Sequence, residues 1–149
     1  MRAVIQRVKY ASCKVDNVIT GSIDLGFMIL LGFKKGDTKE EIQKVLKKII
    51  GLRVFSDENG KMNKSLKDVG GKILAISQFT LYADVKHGNR PSFTDAMQFD
   101  LANTEYNLFC EDLEKEGIEV SKGIFGADMQ IELLNDGPVT IIIDSSELK

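Results

Sequence analysis

Apolar residues recur along this chain with two periods, one of strands and one of helices. Arg2–Val8 and Ala11–Asp16 are rich in β-branched and apolar residues and read as strands, followed by a turn at Asp16-Asn17. Phe27–Phe33 is a continuous apolar run, the pattern of a strand buried on both faces. After Gly36-Asp37 the period changes. Ile42, Val45, Leu46, Ile49 and Ile50 form one stripe of a helix, and Lys44, Lys47 and Lys48 face away from it. Thr38 and Glu41 have the spacing of a capping box, and Gly51 marks the end. Leu52–Phe55 reads as a strand, Asp57–Gly60 and Gly70-Gly71 as turns, and Lys72–Ser77 as a further apolar strand. Residues 83–95 are polar and loop-like. A second helix runs from Asp100 to Glu116 on the stripe Ala102, Tyr106, Phe109, Leu113, with Gly117 beyond its end. Ile118–Ser121, Met129–Leu134 and Val139–Asp144 complete the strands. Asn135-Asp136-Gly137-Pro138 reads as the hairpin turn between the last two.

Seven or eight strands and two amphipathic helices predict an α/β fold. The helices can cover only one face of the sheet, so the other must pack on more sheet or on a partner chain. The expectation is one layered β/β/α domain over 1–149, a mostly antiparallel or mixed sheet packed on sheet, with both helices on one side. No linker, repeat or low-complexity tract divides the 149 residues.

Composition narrows the chemistry. The single histidine, His87, cannot build a multi-histidine metal centre, and Cys13 and Cys110 make neither a disulfide scaffold nor a cysteine-only zinc site. No metal and no cofactor is expected. No apolar run approaches the roughly 18–20 residues of a membrane span, and the N-terminus lacks a signal sequence, so a cytoplasmic location is expected. The net charge of −2 hides an asymmetry. Residues 1–72 carry 15 basic and 8 acidic side chains, and residues 73–149 carry 5 and 14. One face can therefore meet a polyanion although the total is acidic.

Familiar catalytic motifs fail. Gly60-Lys61 lacks the earlier glycine and the following hydroxyl of a phosphate-binding loop. His87 sits in a polar loop, unsuited to a Ser-His-Asp triad, and the cysteines read as small buried hydrophobes. An enzyme with these means needs an already activated substrate, an ester rather than an amide, and works through backbone dipoles, hydroxyls and positioning. The segment Ser77-Gln78-Phe79-Thr80-Leu81-Tyr82 gathers hydroxyls and an amide where an apolar strand ends. It reads either as the wall of a small polar pocket or as an edge strand with polar residues outward.

Taken in order, Met-Arg-Ala-Val-Ile-Gln-Arg-Val at the start, Gly-Lys-Met-Asn (60–63), Asp-Val-Gly-Gly (68–71), Ser-Gln-Phe-Thr-Leu-Tyr (77–82), Arg-Pro-Ser-Phe (90–93), Phe-Gly-Ala-Asp-Met (125–129) and Asn-Asp-Gly-Pro-Val-Thr (135–140) resemble the D-aminoacyl-tRNA deacylase family over the whole chain. The resemblance implies hydrolysis of the ester joining a D-amino acid, or mischarged glycine, to the terminal ribose of tRNA. It implies a homodimer with active sites at the subunit interface. Gly137-Pro138, as a cis peptide, would enter the partner's pocket, hold the substrate α-amino group by backbone carbonyls and reject an L side chain. It places Ser77, Gln78, Phe79 and Thr80 at the catalytic pocket, with backbone amides near Phe79 and Thr80 as an oxyanion hole. Asn135 belongs to the chiral-selection motif, and Met129 and Phe125 to the pocket for the terminal adenine, unless both serve the core. Arg2, Arg7, Lys61, Lys64 and Lys67 are the expected phosphate contacts. Two rival functions remain, a general small-ester hydrolase and a non-enzymatic module that binds tRNA ends.

Overall fold

The structure, a computed structural model, describes all residues 1–149. Its long first strand, β1 (Arg2–Val15), organises the rest. One edge of β1 pairs with β3 (Gly26–Gly32) over Arg2–Val8 and then with β2 (Val18–Ile23) over Ala11–Val15, both antiparallel. β6 (Lys72–Ser77) lies parallel to β3, and β7 (Val120–Lys122) parallel to β6. The last strand, β8 (Gln130–Asp144), takes the other edge of β1. The sheet has six strands, and β4 (Arg53–Ser56) and β5 (Met62–Ser65) form a separate pair.

The sheet curls until its ends meet. Thr20 Oγ1 donates to the Lys122 carbonyl at 3.1 Å, and Ser121 Oγ to the Ser22 carbonyl at 3.1 Å, bringing β2 against β7. This curl covers the face that the helices leave open. β3 and β6 consequently bury both faces. Phe27, Ile29, Leu31, Ile73 and Ala75 join a core of 23 residues shared with both helices. Met28, Leu74 and Ile76 join a smaller cluster with Val8, Ala11, Cys13 and Ile23. Each of the larger of these side chains contributes about 1.5–3 kcal/mol by leaving water.

α1 (Lys39–Gly51) begins with the expected capping box, closed by Thr38 Oγ1 and Glu41, and buries Ile42, Val45, Leu46 and Ile49. α2 (Phe99–Lys115) buries Ala102, Tyr106, Phe109, Cys110 and Leu113. The Tyr106 hydroxyl donates to the Ala75 carbonyl at 2.7 Å, tying α2 to β6 close to its C-terminal end. Asp16 and Asn17, both at positive φ, make the two-residue hairpin turn between β1 and β2.

Several elements differ from expectation. Arg2–Val8 and Ala11–Asp16 are one strand whose exposed Lys9 and Tyr10 mark the passage from the large core to the small one. β2 and β5 escape the periodicity because they are largely exposed. Asn135–Pro138 is not a hairpin turn. Residues 130–135 and 140–144 pair with the same strand in the same direction, and Asp136–Val139 stand opposite Arg7 alone. This is a wide bulge within β8, and its Gly137-Pro138 bond is cis.

Candidate active site at the end of β6

β6 ends at Ser77 inside the sheet, so the 77–82 segment is no edge strand. The Gln78 amide donates to the Leu31 carbonyl at 2.7 Å, and the chain then turns into a 3₁₀ helix over Phe79–Tyr82. The first amides of a helix have no partner within it, which leaves those of Phe79 and Thr80 at the opening of the turn. Gln78 Nε2 donates to Thr80 Oγ1, so the threonine hydroxyl is accepting one bond while its own proton stays available.

A cavity of about 570 Å³ opens beside this turn. Ser77, Gln78 and Phe79 form one wall, and Phe125 and Met129 another. Two aromatic pairs shape it. Phe79 meets Phe93 edge-on with ring centres 5.0 Å apart, and Phe99 meets Phe125 edge-on at 4.9 Å. Gly126, at φ +78°, allows the Phe99 ring to lie over the 124–129 segment, since a Cβ there would stand 2.6 Å from the ring. Asp128 is the single ionisable side chain on the lining.

The structure thus brings Ser77, Gln78, Phe79, Phe125 and Met129 to one cavity, whereas Thr80 is off its lining and reaches it only through its bond to Gln78. Phe125 and Met129 also pack against the large and small cores respectively. Sequence reasoning did not anticipate Phe93, Phe99 or Asp128 at the cavity. Phe99 carried a signal, because it extends the apolar stripe of α2 by one step ahead of Ala102, and the structure leaves it 57% exposed.

Asn135, Gly137 and Pro138 do not line the cavity. The bulge lies over the middle of the chain's other edge. Arg7 Nε donates to the Asp136 carbonyl at 2.9 Å, and Arg7 Nη1 donates to the Val54 carbonyl. Gly137 takes φ +133°, and a Cβ there would meet Arg7 Nη2 at 3.0 Å. Between bulge and cavity stand three interstrand spacings and four residues of β3, from Phe27 beside Arg7 to Leu31 beside Ser77. That separation is on the order of 15–20 Å.

The expected phosphate contacts are mostly committed elsewhere. Arg7 holds the bulge with only 12% of its side chain exposed. Arg2 pairs with Asp144 at 2.8 Å and donates to the Leu81 carbonyl. Lys64 pairs with Glu58 and Lys67 with Glu116, while Lys61 is exposed and unpaired. His87 lies in the exposed 83–95 loop, away from the cavity lining. Cys13 and Cys110 are buried, and burial pushes the Cys110 thiol up to about 11. Neither is a nucleophile poised at the site. No helix is long and apolar enough to cross a membrane.

The sequence model described as D-Tyr-tRNA(Tyr) deacylase matches residues 4–144. The chain belongs to this deacylase family. A D-aminoacyl-tRNA deacylase of Phocaeicola vulgatus is 56% identical over 146 residues, covering 97% of each chain. One of Limosilactobacillus reuteri is 52% identical over 144 residues, covering 97% of this chain and 99% of its own. The fold is similar to the solved structure named "c-Myc DNA Unwinding Element Binding Protein", at 43% identity and a TM-score of 0.91 over 97% of this chain and 98% of that one. It also matches "a probable eukaryotic D-amino acid tRNA deacylase" in fold, with a TM-score of 0.80 at 18% identity over 95% and 97% of the two chains. As a family member the chain is a hydrolase, and aminoacyl-tRNA is its substrate class.

Proposed function

We propose that this deacylase is a chiral proofreader, which hydrolyses D-aminoacyl-tRNA and mischarged glycyl-tRNA and spares L-aminoacyl-tRNA. The observation that carries the reading is the cavity at the end of β6. It offers stacking surfaces for a nucleoside and polar groups for an ester, with neither histidine nor cysteine on its lining. Such a site suits an ester that is already activated.

Phe125 and Met129 receive the terminal adenine. The amides of Phe79 and Thr80 stabilise the developing oxyanion, with Ser77 and Gln78 shaping the wall beside them. Thr80 orients a water molecule instead of attacking, since its hydrogen-bond partner, the Gln78 amide, is no base and leaves the hydroxyl unactivated. The ribose 2′-hydroxyl next to the ester carries the proton from water to the leaving 3′-oxygen. The ester C–O bond breaks as the new bond from water forms, leaving free tRNA and a free amino acid.

Selection by Gly137-Pro138 needs a second copy of the chain. The bulge stands too far from its own cavity to reach it, and it projects as an exposed feature that another subunit's cavity can accept. In such a homodimer a fixed backbone wall rejects one configuration at Cα without reading the side chain. Glycine, lacking a side chain, passes.

The test compares D-tyrosyl-, L-tyrosyl- and glycyl-tRNA with purified protein. Hydrolysis of the D and glycyl substrates is expected, with the L substrate slower by about 100-fold or more, worth about 2.7 kcal/mol. Equal rates on D and L overturn chiral proofreading. Faster cleavage of a free D-tyrosine ester than of D-tyrosyl-tRNA would make this a small-ester hydrolase, and tight tRNA binding without turnover a binding module.

A further inference from the structure

A second, polar cleft of about 280 Å³ is lined by the residues that follow Phe33 of the cavity wall. No residue lines both, but the chain passes directly from one to the other. Phe33 lines the cavity and the next residue, Lys34, lines the cleft. Phe79 lines the cavity and Tyr82, at the other end of the same 3₁₀ turn, lines the cleft. Lys34 is held in place by its bridge to Ala96, a residue of the cavity wall, and Lys35 by its amide bond to the Asp95 carbonyl at 3.0 Å.

The charges of this cleft are almost all spent within the protein. Asp37 takes the Met1 α-ammonium and the Lys34 amide. Asp144 takes Arg2 and Ser146. Glu41 is occupied by the Thr38 cap. The exposed ammonium groups of Lys34 and Lys35 meet no carboxylate, unlike those of Lys64 and Lys67. Two flexible, unpaired point charges beside a nucleoside-sized cavity are suited to phosphate.

We infer that Lys34 and Lys35 bind the phosphodiester backbone of the substrate's single-stranded 3′ end, just before the terminal nucleoside. The inference rests on the deacylase reading of the neighbouring cavity. The basic residues that sequence position suggested are mostly bound to other groups of the protein, while these two are unpaired on the neighbouring cleft. Their hold on the backbone fixes the strand and carries no base sequence.

The test is the double variant Lys34→Glu/Lys35→Glu, with Lys34→Gln/Lys35→Gln as a milder pair and Lys47→Glu/Lys48→Glu, on the exposed face of α1, as a control. D-tyrosyl-tRNA is compared with D-tyrosyl-adenosine, which has no phosphate. For the Glu pair, kcat/KM on the tRNA is expected to fall about tenfold or more at low salt, through KM, and the deficit to shrink as salt rises. Activity on the adenosine ester stays within about twofold, and the control pair stays within about twofold on both substrates. The slope of log affinity for uncharged tRNA against log salt becomes shallower by about 0.7 for each phosphate that the variant no longer neutralises. An equal loss on both substrates, or no loss on the tRNA, overturns the assignment. Should the unmodified enzyme cleave neither ester, the deacylase reading fails on its own, and an unchanged salt slope for uncharged tRNA still decides against the lysines.

Discussion

The end of β6 and the middle of β8 both interrupt an apolar strand with a polar, conformationally special segment, and they do opposite things with it. At Ser77–Tyr82 the chain tightens into a 3₁₀ turn whose surroundings close in. β3, α2 and the 124–129 segment supply walls, and the result is concave. At Asp136–Val139 the extra residues have only Arg7 opposite them, and Gly137 and Pro138 at the crest are exposed. One segment makes a vessel, the other a projection. Ester chemistry needs a shielded volume that a single chain can build. Chiral exclusion needs only a rigid obstacle, which can arrive from another molecule.

The largest expected effect tests the vessel alone. A substrate whose terminal ribose lacks the 2′-hydroxyl should turn over about 10²–10⁴ times more slowly in single-turnover measurements, the usual contribution of a positioned proton carrier. An unchanged rate would place that proton transfer on the protein. The next prediction addresses both regions at once. Ala127→Trp fills the cavity, and Gly137→Ala forces a side chain onto a residue at φ +133°. Ala127→Trp alone should lose turnover, and Gly137→Ala alone should keep turnover but lose its D/L preference. Mixed in equal amounts and allowed to exchange subunits, half of the working cavities should regain that preference, since half of them then face an intact Gly137. No recovery would mean that each chain serves itself.

Arg7→Ala should act on the projection while leaving the vessel intact. It removes charged hydrogen bonds to Asp136 and Val54, at a cost of about 2–3 kcal/mol seen as a lower denaturation midpoint, and it should narrow the D/L rate ratio. An unaltered ratio would show that the bulge holds its shape without its anchor. Thr80→Ala should have the smallest effect, less than about tenfold on turnover with tRNA binding unchanged, as expected for a group that orients water. Total loss with intact binding would restore Thr80 as a nucleophile.

The two regions also differ in how far the residues alone reveal them. The 77–82 segment sits at the end of an apolar strand, and local composition signals a change there. Its neighbours in space come from residues 93–102 and 125–131, which no local pattern connects. The bulge reads as a hairpin because Gly-Pro after Asn-Asp has the composition of a turn, and only the pairing of both flanks with β1 shows that the chain continues in one direction. α1 is legible down to its cap because a capping box and a stripe are both short-range features. The state of each basic residue is not. Lys67 meets Glu116 and Arg2 meets Asp144 from distant parts of the chain, so their charges cancel in ways that no count along the sequence can show.

The cysteines, inert toward catalysis, have a use of their own. Cys13 belongs to the small cluster inside the curl of the sheet, and Cys110 to the large core beneath the helices. Each lies shut away from solvent in its own compartment. An alkylating reagent can reach either thiol only when that compartment opens. The pair therefore forms two built-in clocks, whose labelling rates show whether the barrel-like half and the helical half of the molecule breathe together or apart.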